Sequence, residues 1–356
     1  MYWVFLMSKL PISFALLLSL AACGGGKDGL VPSTGPSSLT KDNIGETVQF
    51  LLIGDQGTQQ QDQLDAAQAM LKTCNELSCD FVVALGDNIY NVGPLIGTDD
   101  PQFELAFEGP YADFDIPFYM TLGNHDNGAS GHIVVNGDHE VEYTYKKGTS
   151  GKWNIPSRYY NVKFGDGLVE MWSLDTDTLT AGDSVSGLRL GPDLMYSRDE
   201  QVAWMKDSIE SSSANWKIAF GHYQYASEGY KGDGNKFQKE AQQEFMCDKV
   251  QFYFYGHQHQ LRWEAPQESC GRTAFINSGA GARGVHEPGF PEDLGIVEEF
   301  TYEDETAAYW WMEFTATEMT AIAYATSADD PSIATEIWRT TRTLNELGWD
   351  SAEQAD

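Results

Sequence analysis

Residues 48–57 read VQFLLIGDQG, an apolar run that ends in a glycine followed at once by the carboxylate of Asp55. The same step from an apolar run to a glycine and a polar residue occurs four more times along the chain. Short runs that are apolar at nearly every position are typical of strands buried on both faces of a sheet. The predicted strands are Val48–Ile53, Phe81–Leu85, Ile116–Leu122, Trp216–Phe220 and Val250–Tyr255.

Helical patterns lie between these runs. Ser197 and Glu200 form a capping box at the start of one helix. Two other helices are predicted from apolar residues at helical spacing: Leu64, Ala67, Leu71 and Cys74 in one, and Phe237, Ala241 and Phe245 in the other. Because strands alternate with helices, the sequence predicts a layered α/β fold. The segment from Ala307 to Thr343 predicts antiparallel strands that complete a second sheet.

The polar residues that follow the predicted strands are all of types that bind metals. They are Asp55, Asp87, Asn124, His222 and His257, with His259 two residues further on. Polar residues just beyond strand ends converge on one crevice of such a fold, and carboxylates and imidazoles rarely crowd there without a metal. The set offers ligands for two metals, one carboxylate being shared between them.

The composition limits which partners the protein can have. Its 356 residues include 53 acidic and 22 basic side chains, for a net charge of −31, and 42% of them are hydrophobic. Such a charge repels nucleic acid and anionic membranes, so neither is an expected partner. A small phosphate substrate remains compatible, because bound metal ions reverse the field inside one cleft.

Read together, the five steps resemble the five motifs of the purple acid phosphatases, within the calcineurin-like metallophosphoesterases. The branch that they are most similar to is the small tartrate-resistant type. The motifs are Gly54-Asp55-Gln56-Gly57, Gly86-Asp87-Asn88-Ile89-Tyr90, Gly123-Asn124-His125-Asp126, Gly221-His222-Tyr223 and Gly256-His257-Gln258-His259. The flanking strings Pro117-Phe118-Tyr119, Trp153-Asn154-Ile155-Pro156-Ser157 and Ser278-Gly279-Ala280-Gly281 also resemble that family. The resemblance implies a metallophosphoesterase-like sandwich of two mixed β-sheets flanked by helices.

The resemblance also implies a ligand set for each metal. The first metal would take Asp55, Asp87, Tyr90 and His259, and the second would take Asp87, Asn124, His222 and His257. Gly57 stands where many relatives have a histidine ligand, and the phenolate of Tyr90 makes ferric iron the expected first metal. The expected second metal is divalent iron, zinc or manganese. The alternative for Tyr90 is an aromatic side chain that only covers a strand end.

His125 is the candidate catalytic residue, because the resemblance implies that it binds the phosphate and helps to protonate the leaving group. The alternative is a turn histidine that orients a partner such as Asp126. The family usually has another cleft histidine after the fourth motif, but this chain has only Glu228, Tyr230 and Lys231 between Tyr223 and Gly234. His132, His139 and His286 are predicted to be surface residues.

The predicted function is hydrolysis of phosphate monoesters by an acid phosphatase that scavenges phosphate outside the cytoplasm. A metal pair would activate water for in-line attack on phosphorus. One alternative is a phosphodiesterase or nucleotide-hydrolysing enzyme, since the same metals serve either ester. A second alternative is a non-catalytic surface binding protein that keeps the scaffold.

The N-terminus predicts export. Lys9 precedes an apolar run, Leu10–Ala22, that is too short to span a bilayer. The Ala21-Ala22-Cys23 sequence resembles the lipobox of bacterial lipoproteins, with Cys23 as the lipidated residue, and Gly24 beside it points to the outer membrane rather than retention. An ordinary cleaved signal is the alternative, and Met7 is a second possible start. The predicted parts are a signal peptide (1–22), a flexible tether (23–46), the catalytic domain (47–345) and an exposed tail (346–356).

Four further cysteines remain in the predicted mature chain. An even number in an exported protein predicts two disulfides, for which we take the pairs Cys74 with Cys79 and Cys247 with Cys270, one of three possible pairings. A zinc site is the alternative, although no pair has the usual two-residue spacing.

Overall fold

The computed structural model describes residues 36–41, 44–129, 134–146, 151–180, 197–282, 284 and 293–349. The predicted signal peptide, Cys23, His132 and His286 lie outside these ranges. None of the helices within them is both long and apolar enough to cross a membrane.

The described residues form five α-helices and fifteen strands. The helices are α1 (Gln61–Leu77), α2 (Val134–Lys146), α3 (Thr176–Leu179), α4 (Arg198–Glu210) and α5 (Lys236–Phe245). The strands are β1 (Ser37–Lys41), β2 (Val48–Ile53), β3 (Phe81–Ala84), β4 (Phe118–Met120), β5 (Trp153–Asn154), β6 (Tyr160–Phe164), β7 (Val169–Ser173), β8 (Trp216–Phe220), β9 (Phe252–Tyr255), β10 (Leu261–Glu264), β11 (Ala274–Ser278), β12 (Glu298–Tyr302), β13 (Ala308–Phe314), β14 (Glu318–Thr326) and β15 (Ala334–Thr343). A π-helical turn, Glu104–Glu108, and a 3₁₀ turn, Glu268–Cys270, complete them.

The strands form two mixed sheets. One has the order β1-β6-β7-β8-β9-β11-β10-β12, and the other has the order β15-β14-β13-β2-β3-β4-β5. A core of alternate strand residues fills the space between the sheets, and includes stacked Phe50, Phe81 and Phe314. The predicted sandwich of two mixed sheets is therefore confirmed.

Helices cover the outer face of each sheet. Leu51 and Val82, which point away from the central core, pack with Met70 of α1. On the other sheet, Tyr253 packs with Met205 of α4 and with the buried residues of α5. Every strand that precedes a ligand motif is therefore buried on both faces, which explains why those runs are apolar at nearly every position.

The five strands predicted before the motifs are all present. β2, β3 and β4 are parallel neighbours in one sheet, and β8 and β9 are parallel neighbours in the other. Because parallel strands end at the same edge, this arrangement brings the residues that follow them to one end of the sandwich.

The tether prediction is wrong at its C-terminal part. Residues 37–41 form β1, which pairs in parallel with β6 at the edge of a sheet. Its polar composition gave no strand pattern, because an edge strand can be held largely by main-chain hydrogen bonds to its neighbour. The packed chain also continues past the predicted start of the tail, since Trp349 is buried and stacks on Arg272 at 4.2 Å. The antiparallel strands predicted between Ala307 and Thr343 are confirmed as β13, β14 and β15.

Two helix predictions are confirmed and one is shifted in register. The Ser197 side chain accepts a hydrogen bond from the Glu200 N–H, as the capping box predicts. In α5 the predicted stripe buries Ala241 and Phe245. In α1, however, Leu64 is 38% exposed, and the buried face is carried by small and polar residues around Met70.

Both predicted disulfides are present. Cys74 at the end of α1 is bonded to Cys79, and Cys247 after α5 is bonded to Cys270. All four sulfurs are used in these bonds, so the zinc alternative for the cysteines is wrong.

Candidate metal centre

The structure brings the seven predicted ligands together at one end of the sandwich. Asp55, Asp87 and Asn124 follow three parallel strands of one sheet, while His222 and His257 follow two parallel strands of the other. Tyr90 and His259 lie within hydrogen-bond distance of one another and of this group. The two carboxylates and His222 are almost completely buried.

The glycines before the ligands allow the strand ends to approach. A Cβ atom at Gly123 would lie 2.3 Å from Asp87 Oδ1, and one at Gly256 would lie 2.6 Å from Asp55 Oδ2. Real Cβ atoms essentially never come within 3.0 Å of another atom. The glycines are therefore required by the ligands of other motifs, and not only by the turns in which they lie.

One group of donor atoms surrounds the Tyr90 hydroxyl. The Tyr90 Oη lies 3.1 Å from Asp55 Oδ1, 2.9 Å from Asp87 Oδ2 and 3.3 Å from His259 Nε2. His259 Nε2 is also 3.3 Å from Asp55 Oδ1. These four atoms belong to the four residues that are predicted to bind the first metal.

A second group of donor atoms surrounds His222. Its Nε2 lies 3.4 Å from Asp87 Oδ1, 3.1 Å from Asn124 Oδ1 and 3.2 Å from His257 Nδ1. Asp87 therefore directs one carboxylate oxygen to each group. This is the geometry expected of a carboxylate that bridges two metals.

Hydrogen bonds outside the two groups orient the donors. His222 Nδ1 lies 2.8 Å from the Leu85 carbonyl oxygen, so Nδ1 carries the hydrogen and Nε2 faces the site with its lone pair. The Asn124 amide donates to the Ala129 carbonyl at 3.1 Å, which turns its Oδ1 inward. Such contacts are typical of ligands held in place for a metal.

The negative charges of the buried carboxylates in the site favour the binding of cations. Within the described part of the chain, no lysine or arginine forms an ion pair with Asp55 or Asp87. Burial would raise the pKa of Asp55, but His259, His222 and His257 together lower it below its usual value. Burial, with Asp55 and Asp87 beside it, raises the pKa of Tyr90 well above 10, so a phenolate there needs a strongly positive partner.

The donor set fits two metals. The site has buried carboxylates that no lysine or arginine of the described residues pairs with, two imidazole nitrogens 3.2 Å apart and a phenol between two carboxylates. Metal ions among these donor atoms would balance the negative charge and accept the lone pairs of the nitrogens. The donor atoms of Asp87, His222 and His257 all lie within 4.8 Å of one another, which matches the span of a metal site.

Three of the ligands have strained backbones. Asp55, Asp87 and His257 have φ values of 59°, 54° and 64°, in the left-handed region that residues other than glycine seldom adopt. Each such residue costs about 1–3 kcal/mol and persists where its surroundings require it. Strain at three ligands together indicates a functional site.

Gly57 could not be replaced by a ligand side chain. A Cβ atom there would lie 2.0 Å from the Asn88 carbonyl oxygen, and its main chain bonds to both Asp87 and Tyr90. A histidine at this position is excluded by the same packing that holds Tyr90 in the donor group.

His125 lies beside the donors and is not one of them. Its N–H donates to Asp87 Oδ1 at 2.9 Å, and its Nδ1 lies 2.6 Å from the Asn91 carbonyl oxygen. Its Nε2, 4.0 Å from Asp87 Oδ2, faces the site. The described part of the chain shows no hydrogen bond between the side chains of His125 and Asp126, and both roles considered for His125 stay predictions.

Asp126 instead connects two of the loops that carry ligands, through hydrogen bonds to their main chains. It accepts hydrogen bonds from the N–H groups of Gly123 (2.7 Å) and Ile89 (3.0 Å). Burial, together with the charge of Asp87, raises the pKa of Asp126 to about 6. Asn88 links it to buried Glu140 on α2, a residue for which the sequence gave no signal.

The open side of the centre is a cleft of about 180 Å³. Its lining includes residues that the sequence did not single out, because their types are common in loops. These residues are Thr58, Gln60, Asp62 and Asn91, and they line the cleft together with the predicted ligands Asp55, Tyr90 and His259. The other predicted histidine that the structure describes, His139, lies on α2, 3.9 Å from Glu142 and 21% exposed.

Comparisons with known proteins agree with this centre. A model of the "Calcineurin-like phosphoesterase" family matches residues 48–261. Purple acid phosphatase 17 of Arabidopsis thaliana is 32% identical over 67% of this chain and 69% of its own. Human tartrate-resistant acid phosphatase type 5 is 26% identical over 78% of this chain and 87% of its own.

Solved structures share the fold. A purple acid phosphatase from yellow lupin seeds superposes with a TM-score of 0.61 at 13% identity, over 89% of this chain and 57% of that one. GAP50, described as the anchor in the inner membrane complex of Plasmodium, has a TM-score of 0.60 at 17% identity, over 83% and 89% of the two chains. With the family match and the identity to curated enzymes, the chain belongs to the calcineurin-like phosphoesterase family and is an acid phosphatase related to the purple and tartrate-resistant enzymes, a relationship that implies a dinuclear metal centre.

Proposed function

We propose that the protein hydrolyses small phosphate monoesters outside the cytoplasm, at a centre of one ferric ion and one divalent ion of iron, zinc or manganese. The observation that carries the proposal is the carboxylate of Asp87. Its Oδ2 lies 2.9 Å from the Tyr90 hydroxyl, and its Oδ1 lies 3.4 Å from His222 Nε2. One residue thereby joins an oxygen-rich donor group, suited to ferric iron, to a nitrogen-rich group suited to a divalent ion.

The residues around the centre have separate tasks in the proposed reaction. When bound, the metal pair supplies the positive charge that attracts phosphate and activates the attacking water. His125 keeps its Nδ1 hydrogen bonded to Asn91, which holds Nε2 towards the substrate phosphate. Asp87 fixes the main chain of His125, so the ligand and the phosphate-binding group move as one unit.

The shape and charge of the cleft favour monoesters over nucleotides. Its volume of about 180 Å³ suits a single phosphate, and its lining contains the carboxylates of Asp55 and Asp62. A polyphosphate chain would bring negative charge against these carboxylates. Turnover of an aryl phosphate monoester should therefore exceed turnover of the bis-aryl diester and of a nucleoside triphosphate. Two bound metals with no hydrolysis of any of them would instead support the non-catalytic alternative.

The role of Tyr90 has a spectroscopic test. A phenolate bonded to ferric iron has a charge-transfer band in the visible range, so the iron-loaded protein should be coloured. Tyr90→Phe should abolish the band, since no other predicted ligand is a phenolate, and should weaken the hold on iron because one anionic ligand is lost. The measurement is the visible spectrum of the iron-loaded wild type and variant, with elemental analysis of both.

Tyr223→Phe is the matched control for this test, because Tyr223 is also close to the centre, 4.8 Å from the ring of His257, but is not a predicted ligand. It should keep the band. A band that persists in Tyr90→Phe, or one that is lost equally in Tyr223→Phe, would contradict the assignment of Tyr90 as an iron ligand.

We propose further that Cys23 anchors the protein to a bacterial cell envelope, at the outer membrane or in the periplasm, and that the lipid is its only attachment to a membrane. The support is the small-residue sequence before Cys23 and the glycine run that follows it. Cys23→Ser should abolish labelling by a radioactive fatty acid and move the protein from the membrane to the soluble fraction. Unchanged labelling in that variant would contradict the lipid anchor.

A further inference from the structure

The turn from Gly229 to Gly232 packs against the segment that carries His257 and His259. The Lys231 N–H donates to Gln258 Oε1 at 3.0 Å, and Gln258 Nε2 donates to the Gly232 carbonyl at 3.2 Å. The Gly232 N–H closes the turn on the Gly229 carbonyl at 2.9 Å. Because Gln258 stands between the two histidines, these bonds fix the turn relative to both of them.

The contact is too close for a side chain at position 229. A Cβ atom on Gly229 would lie 2.5 Å from Gln258 Oε1. The buried side chain of Gln224 also donates to the Gly232 carbonyl, at 2.8 Å. The backbone of the turn is therefore held from two sides next to the metal ligands.

Tyr230 and Lys231 are the two side chains that this turn presents. The Tyr230 ring is 6.2 Å from the ring of His259, and Lys231 Nζ is 5.4 Å from the Tyr230 ring centre. Lys231 is exposed, although its main chain is fixed.

Lys231 forms no ion pair within the part of the chain that the structure describes. Lysines nearby in the sequence behave differently: Lys239 pairs with Asp233 at 2.7 Å, and Lys249 pairs with Glu210 at 2.8 Å. In a chain with a net charge of −31, a cation without an acidic partner beside a metal centre is positioned for an anion from outside.

We propose that Lys231 is a catalytic residue whose ammonium contacts the oxygen that joins the leaving group to phosphorus. The inference rests on the monoester hydrolysis proposed above. As that P–O bond breaks, its electron pair stays on the oxygen, which takes a proton from Lys231 Nζ and leaves as an alcohol. Water supplies the fourth oxygen of the phosphate, and the neutral amine regains a proton from solvent.

Other groups at the centre are less suited to this task. The carboxylates of Asp55 and Asp62 in the cleft accept hydrogen bonds when ionised and have no proton to give. His125 directs Nδ1 to the Asn91 carbonyl, and its remaining nitrogen lies beside Asp87. An ammonium on a flexible stem offers three donors and can follow the leaving oxygen as the bond lengthens.

The test compares two monoesters that differ in their need for a proton donor. p-Nitrophenyl phosphate releases a stable phenolate, whereas glycerol 2-phosphate must release an alkoxide. A general acid contributes about 10²–10⁴-fold. Lys231→Ala should therefore lower kcat/KM for glycerol 2-phosphate by about 100-fold or more, and for p-nitrophenyl phosphate by less than about threefold.

Further variants separate proton donation from charge and from metal loss. Lys231→Arg keeps the charge but holds its proton too tightly to transfer it, so it should remain poor on glycerol 2-phosphate, while Lys231→His should recover part of the activity. Elemental analysis should find two metals in every variant. Lys236→Ala, which removes a lysine that is 80% exposed on α5, is the matched control and should change neither substrate.

Equal losses on both esters in Lys231→Ala, or full activity of Lys231→Arg on glycerol 2-phosphate, would overturn the assignment. Loss of metal from Lys231→Ala would overturn it as well. Hydrolysis of p-nitrophenyl phosphate by the wild type tests the proposed function itself, so the two can fail independently.

Discussion

Asp87→Ala should lose both metals and nearly all phosphatase activity. The two donor groups are connected through this one carboxylate, whose Oδ2 faces Tyr90 and whose Oδ1 faces His222. Replacing a residue that only orients a metal ligand lowers metal affinity or activity by about 10–100-fold. Replacing a ligand that both metals share should therefore lower kcat/KM by more than about 100-fold. Elemental analysis should fall from two metals per chain towards none.

The control for this prediction is Asp113→Ala, which removes an exposed carboxylate that is not a predicted ligand. It should keep both metals and full activity. Thermal unfolding of both variants in chelator separates metal loss from a loss of fold, because the metal-free Asp87 variant should still unfold in one cooperative transition. Two metals per chain in Asp87→Ala would refute the shared-ligand geometry.

Gly123→Ala should disrupt the centre although it replaces no ligand. Its Cβ atom would lie 2.3 Å from Asp87 Oδ1 and 2.4 Å from the Asp87 nitrogen, both within a buried site. Relief of this overlap requires the third motif to move away from the second, which separates Asn124 from Asp87. We expect loss of the second metal, a fall in kcat/KM of at least about 100-fold and a decrease of about 1–3 kcal/mol in the free energy of unfolding.

Gly45→Ala is the matched control, since a Cβ atom there meets nothing within 4 Å. The same substitution should then leave metal content, activity and stability unchanged. Activity is measured well below the midpoint of thermal unfolding, so that loss of fold does not contribute. A Gly123→Ala protein with two metals and wild-type turnover would show that the close approach of the motifs is not needed.

Much of the fold was predictable because the strands that carry the site are buried on both faces. Such strands leave apolar runs that the sequence shows directly, as at Val48–Ile53 and Trp216–Phe220. α4 was predictable for a similar reason, since Ser197 caps it through a local contact three residues away. The edge strand β1 was not predictable, because its partner β6 lies more than a hundred residues away along the chain.

The candidate ligands were predictable, but their arrangement was not. Glycine followed by Asp, Asn or His marks each strand end in the sequence, and all seven predicted ligands meet in the structure. Their binding of metals stays a prediction. The exclusion of a side chain at Gly57, the link from Asp126 to Glu140 and the docking of Lys231 on Gln258 appear only in three dimensions.

The sequence by itself determined which residues bear the chemistry and which runs form the buried strands, because residue type and local burial are properties of short segments. The tertiary structure alone decided that Asp87 directs its two oxygens to different donor groups and that the turn of Lys231 is bonded to Gln258, between His257 and His259 in the chain. The physical reason is that these contacts join segments that lie far apart in the sequence. The contact of Asp87 with His222 reaches from one sheet to the other, and the contact of Lys231 joins the loops that follow β8 and β9. Their distances depend on how the sheets and loops pack, and no local pattern encodes that packing.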